Sequence, residues 1–404
     1  MSRAHGGKPR HLVVGLLVAG LWWWLLVLPA SAHPADAGLT DSEHAAQDLV
    51  GTPVTEIEHE TAINATKITK VTGVRPGSRT AAATTNRAER KAAAVALDPG
   101  TGGQWGSVLP TEVVPVFQAV LPNGRVLMWD SVGENATETY PDQTFTRAMV
   151  WNPGDNSYRR VDVQGYNIFC AGYVQLANGN VLVAGGNKDM ALHGIRQTHL
   201  FDWQTETWSR GPDMAAERWY PSVAALANGE ALIVAGGTAT AEVYQPTNTL
   251  RSLLGFRSYS DRIYPFLVPR PDGKVQLLGP STQMTTMVTS GSGSLLAAGA
   301  RDGINRSYGS FATYAIGKTL VAGGGDVTEG GQTRVPTRTA VVVNTTSGSS
   351  VAPTGSMAVG RRQFNLTVLA DGSVLATGGE TKSVDGSVDL QNAAFAAERW
   401  DPGT

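Results

Sequence analysis

From about Trp105 to the end of this 404-residue chain, short apolar runs alternate with turns that carry glycine. Around Asn178-Gly179 the runs are Val174 to Ala177 and Val181 to Ala184. Around Asn228-Gly229 they are Ala224 to Ala227 and Ala231 to Ala235, and around Asp371-Gly372 they are Thr367 to Ala370 and Ser373 to Thr377. Runs this short, rich in Val, Leu, Ala and Ile and bounded by turn residues, predict strands of a buried antiparallel sheet. Six such units superpose on the turn glycines Gly124, Gly179, Gly229, Gly273, Gly317 and Gly372, spaced 55, 50, 44, 44 and 55 residues apart. Five of the six turns are Asn-Gly or Asp-Gly, which predicts a tight hairpin with both central residues at positive φ. The fifth unit carries Ile316-Gly317-Lys318 instead.

Most units then close on a glycine pair: Gly185-Gly186, Gly236-Gly237, Gly323-Gly324 and Gly378-Gly379. A further strand follows with an aromatic and an Asp/Pro turn, as in Leu200-Phe201-Asp202-Trp203, Val243-Tyr244-Gln245-Pro246 and Arg399-Trp400-Asp401-Pro402. Units of this length and pattern predict an all-β fold, a kelch-type β-propeller in which each unit forms one four-stranded blade. Six repeats are recognisable over residues 105–404, with a seventh blade missing or incomplete. Gly323-Gly324-Gly325 has no βαβ context and is a structural glycine run, not a nucleotide loop.

The residues ahead of the repeats follow a different pattern. Arg3, Lys8 and Arg10 precede an apolar stretch from Leu12 to Leu28 and the small-x-small sequence Ala30-Ser31-Ala32, so residues 1–32 read as a signal peptide. The alternative is an uncleaved signal anchor, since the apolar run approaches bilayer length. Either way the bulk of the chain is exported, secreted or held at the membrane facing outward. Residues 33–104, rich in Ala, Thr and charge, read as a flexible linker.

Composition narrows the partners. Charged residues make up 16% of the chain and the formal net charge is −2, which argues against nucleic acid or an anionic membrane surface. Arg159-Arg160 and Arg361-Arg362 read as solvated turn residues. A single cysteine, Cys170, excludes an internal disulfide and any cysteine-rich metal site.

Register gives that cysteine its interest. The position nine residues before each turn glycine holds Pro115, Cys170, Tyr220, Tyr264, Tyr308 and Gln363. In a propeller, equivalent positions of successive blades ring the central axis, so Cys170 and Tyr220 come from adjacent blades and share one space. Tyr264 and Tyr308 read as packing residues, with entry into the channel as the alternative. His193 and His199, after the glycine pair of their unit, read as structural.

Phe169-Cys170-Ala171-Gly172, with Asn178-Gly179 and Gly185-Gly186-Asn187, resembles a blade of the copper-radical oxidases, the galactose oxidase and glyoxal oxidase group. Pro212-Asp213-Met214 with Arg218-Trp219-Tyr220 resembles the next blade, and Gly279 to Met284 and Arg361-Arg362-Gln363-Phe364 resemble later ones. The resemblance implies a thioether between Cys170 and the ring of Tyr220, with Tyr220 as a copper ligand. It further implies that the Cys-Tyr radical and copper oxidise a primary alcohol, aldehyde or sugar, reducing O2 to H2O2. Two departures matter. Gly236-Gly237 is followed by Thr238-Ala239-Thr240, where the family carries the tryptophan that covers the thioether. No histidine follows His199, so the histidine copper ligands are lacking and Tyr220 is the one metal ligand implied. The alternative is a non-catalytic kelch propeller that binds glycan or a cell-surface partner. The absence of Ser-x-Asp-x-Gly-x-Thr-Trp repeats and of an arginine cluster at the ring position argues against a sialidase-type propeller.

Overall fold

The computed structural model describes residues 103–130, 144–189, 193–256, 264–325, 335–382 and 392–403. The leader, and the linker apart from residues 103 and 104, lie outside the described residues. What is described is all-β with short 3-10 turns, one of them at Leu254–Phe256, and no helix in it is long and apolar enough to cross a membrane.

Six antiparallel sheets follow one another along the chain. The first blade is β1 (Phe117–Val120), β2 (Val126–Trp129), β4 (Ala148–Asn152) and β5 (Ser157–Arg160), with β3 (Phe145–Thr146) and β6 (Val163–Gln164) paired beside it. The second is β7 (Gly172–Gln175), β8 (Val181–Ala184), β9 (Thr198–Asp202) and β10 (Thr207–Arg210). The third is β11 (Pro221–Ala225), β12 (Ala231–Ala235), β13 (Ala241–Gln245) and β14 (Thr249–Leu253). The fourth is β15 (Phe266–Pro269), β16 (Val275–Gly279), β17 (Gln283–Val288) and β18 (Ser294–Ala300). The fifth is β19 (Ser310–Ala315), β20 (Lys318–Ala322), β21 (Ala340–Asn344) and β22 (Ser350–Thr354). The sixth has three strands, β23 (Asn365–Val368), β24 (Val374–Thr377) and β25 (Glu398–Trp400).

The second strands explain the continuous apolar runs. Side chains alternate between the two faces of a strand, so a strand covered on both faces is apolar throughout. In β8, Val181 and Val183 pack with Leu127, Trp129 and Val150 of the first blade, while Leu182 and Ala184 pack with Ala231 and Ile233 of the third. In β12, Leu232 and Val234 turn the other way, onto Leu267, Val275 and Leu277 of the fourth blade. Further clusters join the fourth blade to the fifth (Phe266, Leu278, Val321, Val343) and the fifth to the sixth (Leu320, Ala322, Phe364, Val374). Among the described residues no cluster joins the sixth blade to the first. The free face of the first blade carries a small group of its own: Val113, Met128 and Met149, with Val126 and Trp151 against it.

The hairpins differ from the sequence expectation. The turn glycines have positive φ, for example 87° at Gly179 and 82° at Gly372, but the Asn or Asp before each does not. At Gly179 the N–H donates to the Leu176 carbonyl at 2.9 Å, and the Leu176 N–H donates to the Asn180 carbonyl at 2.8 Å. This is a type I turn followed by a left-handed glycine, a bulged hairpin in place of a type I′ turn. Asn and Asp serve here through their side chains: Asn178 Oδ1 accepts from the Asn180 N–H at 3.0 Å, and Asp371 Oδ1 from the Ser373 N–H at 2.9 Å. Because the turn takes up Leu176 and Ala177, the inner strand begins two residues earlier than predicted, at Gly172. Ile316-Gly317 has no such side chain, and there Ala315 pairs directly with Lys318 across a two-residue turn.

Candidate active site

The residue nine before each turn glycine lies one or two residues ahead of its inner strand. All six of these residues, Pro115, Cys170, Tyr220, Tyr264, Tyr308 and Gln363, line one cavity of about 670 Å³. Five share an unusual backbone: φ is 63° at Cys170, 61° at Tyr220, 39° at Tyr264, 54° at Tyr308 and 52° at Gln363. A left-handed non-glycine residue costs about 1–2 kcal/mol. Recurrence in five blades, whatever the side chain, makes this conformation part of the architecture and not a local catalytic strain. The ring is also tied through its backbone. Tyr220 N–H donates to the Cys170 carbonyl (2.9 Å), Tyr264 N–H to the Tyr220 carbonyl (2.8 Å), and Gln363 N–H to the Tyr308 carbonyl (2.8 Å).

Local chemistry sets the Cys170 loop. Asn167 Oδ1 accepts from the Phe169 N–H at 2.9 Å, and the Ile168 N–H donates to Thr146 Oγ1 at 2.8 Å. The glycine pair behind it leaves room: a Cβ on Gly186 would lie 2.2 Å from the Asn167 carbonyl, and one on Gly185 would lie 2.5 Å from the Arg218 carbonyl. Close approach of neighbouring blades at the ring is what the repeated Gly-Gly permits.

Arginines two residues before the ring fix three of the other blades, and the sequence reading missed them. Arg218 is fully buried and donates to the carbonyls of Ala235 (2.6 Å) and Thr240 (2.7 Å) and to Glu242 (2.9 Å). Arg306 donates to Gly323 and Thr339 carbonyls, both at 2.9 Å, and pairs with Asp302. Arg361 donates to the Gly378 carbonyl at 2.9 Å and pairs with Glu398 at 2.7 Å. Each staples the end of the second strand and the start of the third onto the ring loop. Removing one partner of the Arg218–Glu242 pair, buried on both sides, typically costs about 3–5 kcal/mol. Solvation of Arg361-Arg362 is therefore corrected: Arg361 is 0% and Arg362 5% exposed, and Arg362 pairs with Glu380 and lies over the Tyr308 ring. Arg159 and Arg160 are partly solvated, paired with Glu206 and Asp162. The recurrence of arginine at one register position in three units was the available signal.

Cys170 is buried and forms no disulfide. Burial pushes its thiol pKa up, against the opposing effect of hydrogen bonding from the Tyr220 and Trp219 side chains. At neutral pH it is a thiol, a poor nucleophile in hydrogen-bonding reach of the Tyr220 phenol. Tyr220 has the ring cover that the sequence left unassigned: Trp219 stacks on it with centroids 3.6 Å apart and an interplanar angle of 9°. Tyr264 is held protonated, its pKa raised by burial and secondarily by Cys170, Tyr173 and Tyr308.

The histidines stand elsewhere. His193 pairs with Asp189 at 2.7 Å, and His199 on β9 is buried against Tyr166 with neither ring nitrogen hydrogen-bonded among the described residues. Neither lines the ring cavity. Imidazole together with phenolate suits Cu(II). The cavity offers the phenols of Tyr220, Tyr264 and Tyr308 and the thiol of Cys170, and no imidazole among the described residues. No group of three or more His, Cys, Asp or Glu that could hold a metal occurs among them either. This donor set does not by itself fit a copper centre.

Fold and site together define a six-bladed kelch-type propeller with a cysteine and a tyrosine paired at its axis. The chain is a homologue of galactose oxidase. It is 30% identical over 319 residues to galactose oxidase of Gibberella zeae, which takes in 72% of this chain and 46% of that protein. The chain thus spans less than half the length of that relative. A WSC domain-containing protein of Arthroderma benhamiae is 25% identical over 199 residues, covering 43% of this chain and 20% of its own length. Among solved structures, one described as a novel fungal alcohol oxidase with catalytic diversity among the AA5 family, in complex with copper, superposes with a TM-score of 0.65. It is 24% identical and covers 74% of this chain and 65% of its own, a likeness of fold. No family model matches the chain.

Proposed function

We propose that this chain is the propeller of a secreted copper-radical oxidase that oxidises a primary alcohol, aldehyde or sugar with O2, yielding H2O2. One observation carries the reading. Cys170 and Tyr220, from adjacent blades, are joined through the backbone and in side-chain hydrogen-bonding reach, at the edge of a 670 Å³ cavity. Homology to galactose oxidase supports it. In this reading Tyr220 is the copper ligand, and Cys170 makes its phenol easier to oxidise by one electron through a thioether. The remaining copper donors are not among the described residues.

Forming the thioether removes the Cys170 S–H hydrogen and one ring hydrogen beside the phenol carbon of Tyr220. One S–C bond is made, and two electrons and two protons pass to dioxygen. After aerobic exposure to Cu(II), peptide mass spectrometry should find the Cys170 and Tyr220 peptides linked, with loss of two hydrogens. The second reading, a non-catalytic propeller that binds glycan or a cell-surface partner, draws support from a cavity lining that carries no imidazole among the described residues. Cys170 that remains fully alkylatable after the same exposure decides for it.

A further inference from the structure

Tyr220 lies between two rings. Trp219 is nearly parallel to it at 3.6 Å and 9°, and Tyr264 at 4.3 Å and 18°. Two rings that each lie parallel to Tyr220 at these separations, without stacking on one another, occupy its opposite faces. Their attachments differ. Trp219 precedes Tyr220 in the chain, and the left-handed backbone at Tyr220, φ 61°, sets the two side chains alongside each other. Tyr264 comes from the next blade, its N–H bonded to the Tyr220 carbonyl at 2.8 Å. Its hydroxyl donates to the carbonyl of Ala171, the neighbour of Cys170, at 3.3 Å. Tyr264 is thereby held at both ends, by the loops that carry Tyr220 and Cys170.

We propose that Trp219 and Tyr264 are positioning residues that lock the Tyr220 ring, preventing it from turning over and presenting one ring edge to the Cys170 sulfur. The geometry of the lock stands alone; its purpose rests on the thioether reading above. A new S–C bond requires sulfur to meet one ring carbon at the edge of the phenol. A ring that turns about its Cβ–Cγ bond holds that approach only briefly, whereas a ring layered between two others holds it continuously. Trp219 and Tyr264 exchange no atom and no net electron; the balance is the one given above, with dioxygen as oxidant.

The test has two readouts. The full chain is prepared with tyrosine carrying ¹³C at the ring positions beside the phenol carbon, and the Tyr220 signals are assigned by their loss in Tyr220→Phe. A locked ring gives two separate signals for those carbons, and this measurement requires no change to the clamp. Tyr264→Ala should merge them and slow formation of the linked peptide under Cu(II) and air by about tenfold or more. Trp219→Ala should act in the same direction. Tyr264→Phe keeps the ring and loses only the hydroxyl, and should stay near the wild-type rate with two signals. A single averaged signal in the wild-type protein, or Tyr264→Ala linking at the wild-type rate with two signals retained, overturns the proposal. A locked ring that never forms the link upholds the clamp and removes the oxidase reading, so the two fail separately.

Discussion

His199 is 3% exposed and its imidazole is flanked by Tyr166. Burial, helped by the nearby Arg210 charge, lowers its pKa from the ordinary 6.5 to about 4. Unfolded chains therefore take up this proton first as pH falls. The contribution of neutral His199 to stability is complete above about pH 6.5, declines below it, and is lost by about pH 4, a change of about 3 kcal/mol. Denaturant melts across this range should show the decline, and His199→Leu should flatten it. The same residue scale marks where a sequence reading stops. Register put Cys170 and Tyr220 together because a turn glycine and its strand fix the count of residues between them. Nothing in that count identified Trp219 as the cover of Tyr220. Stacking between consecutive residues depends on the positive φ of Tyr220, which periodicity does not encode.

At the scale of the element, glycines of the same φ sign differ in kind. Gly372 has φ 82°, and a Cβ added there would meet nothing within 4 Å. A Cβ on Gly323, at φ 64°, would lie 2.5 Å from the Phe364 ring and 2.6 Å from the Arg361 carbonyl. Gly372→Ala should cost only the backbone contribution, about 1–2 kcal/mol. Gly323→Ala adds overpacking of about 1–3 kcal/mol to that, and urea melts of the two variants should separate them. The hairpins themselves were legible, since short apolar runs around Asn-Gly leave few alternatives. Their turn type was not, because Asn-Gly suits a type I′ turn and a bulged type I turn alike, and the Asn178 side-chain bond decides between them. The staples were misread for another reason. Arg361 in isolation is a charged turn residue; its partner Glu398 lies 37 positions away, beyond any local pattern.

For the whole molecule, five apolar clusters join six blades in series. The inner blades bury both faces. Val120 on the free side of the first blade remains 68% exposed, and Leu375 and Thr377 of β24 belong to no cluster. Stability in stacked repeats depends on neighbour contacts, so opening should begin at the singly covered blades. Amides of β24 should exchange with deuterium about tenfold or more faster than those of β12. Equal protection in the two strands would contradict this ordering. Repeat number and blade order were legible in the sequence because every unit carries its own turn glycine.

The shared left-handed backbone of Cys170, Tyr220, Tyr264, Tyr308 and Gln363 has one more consequence. Thiol, phenol and carboxamide all sit on the same bent main chain and open on the same cavity, so aim and chemistry are separable in this protein. The backbone supplies the direction and a single side chain supplies the reactivity. The ring therefore acts as a set of addresses around one cavity, one side chain to each.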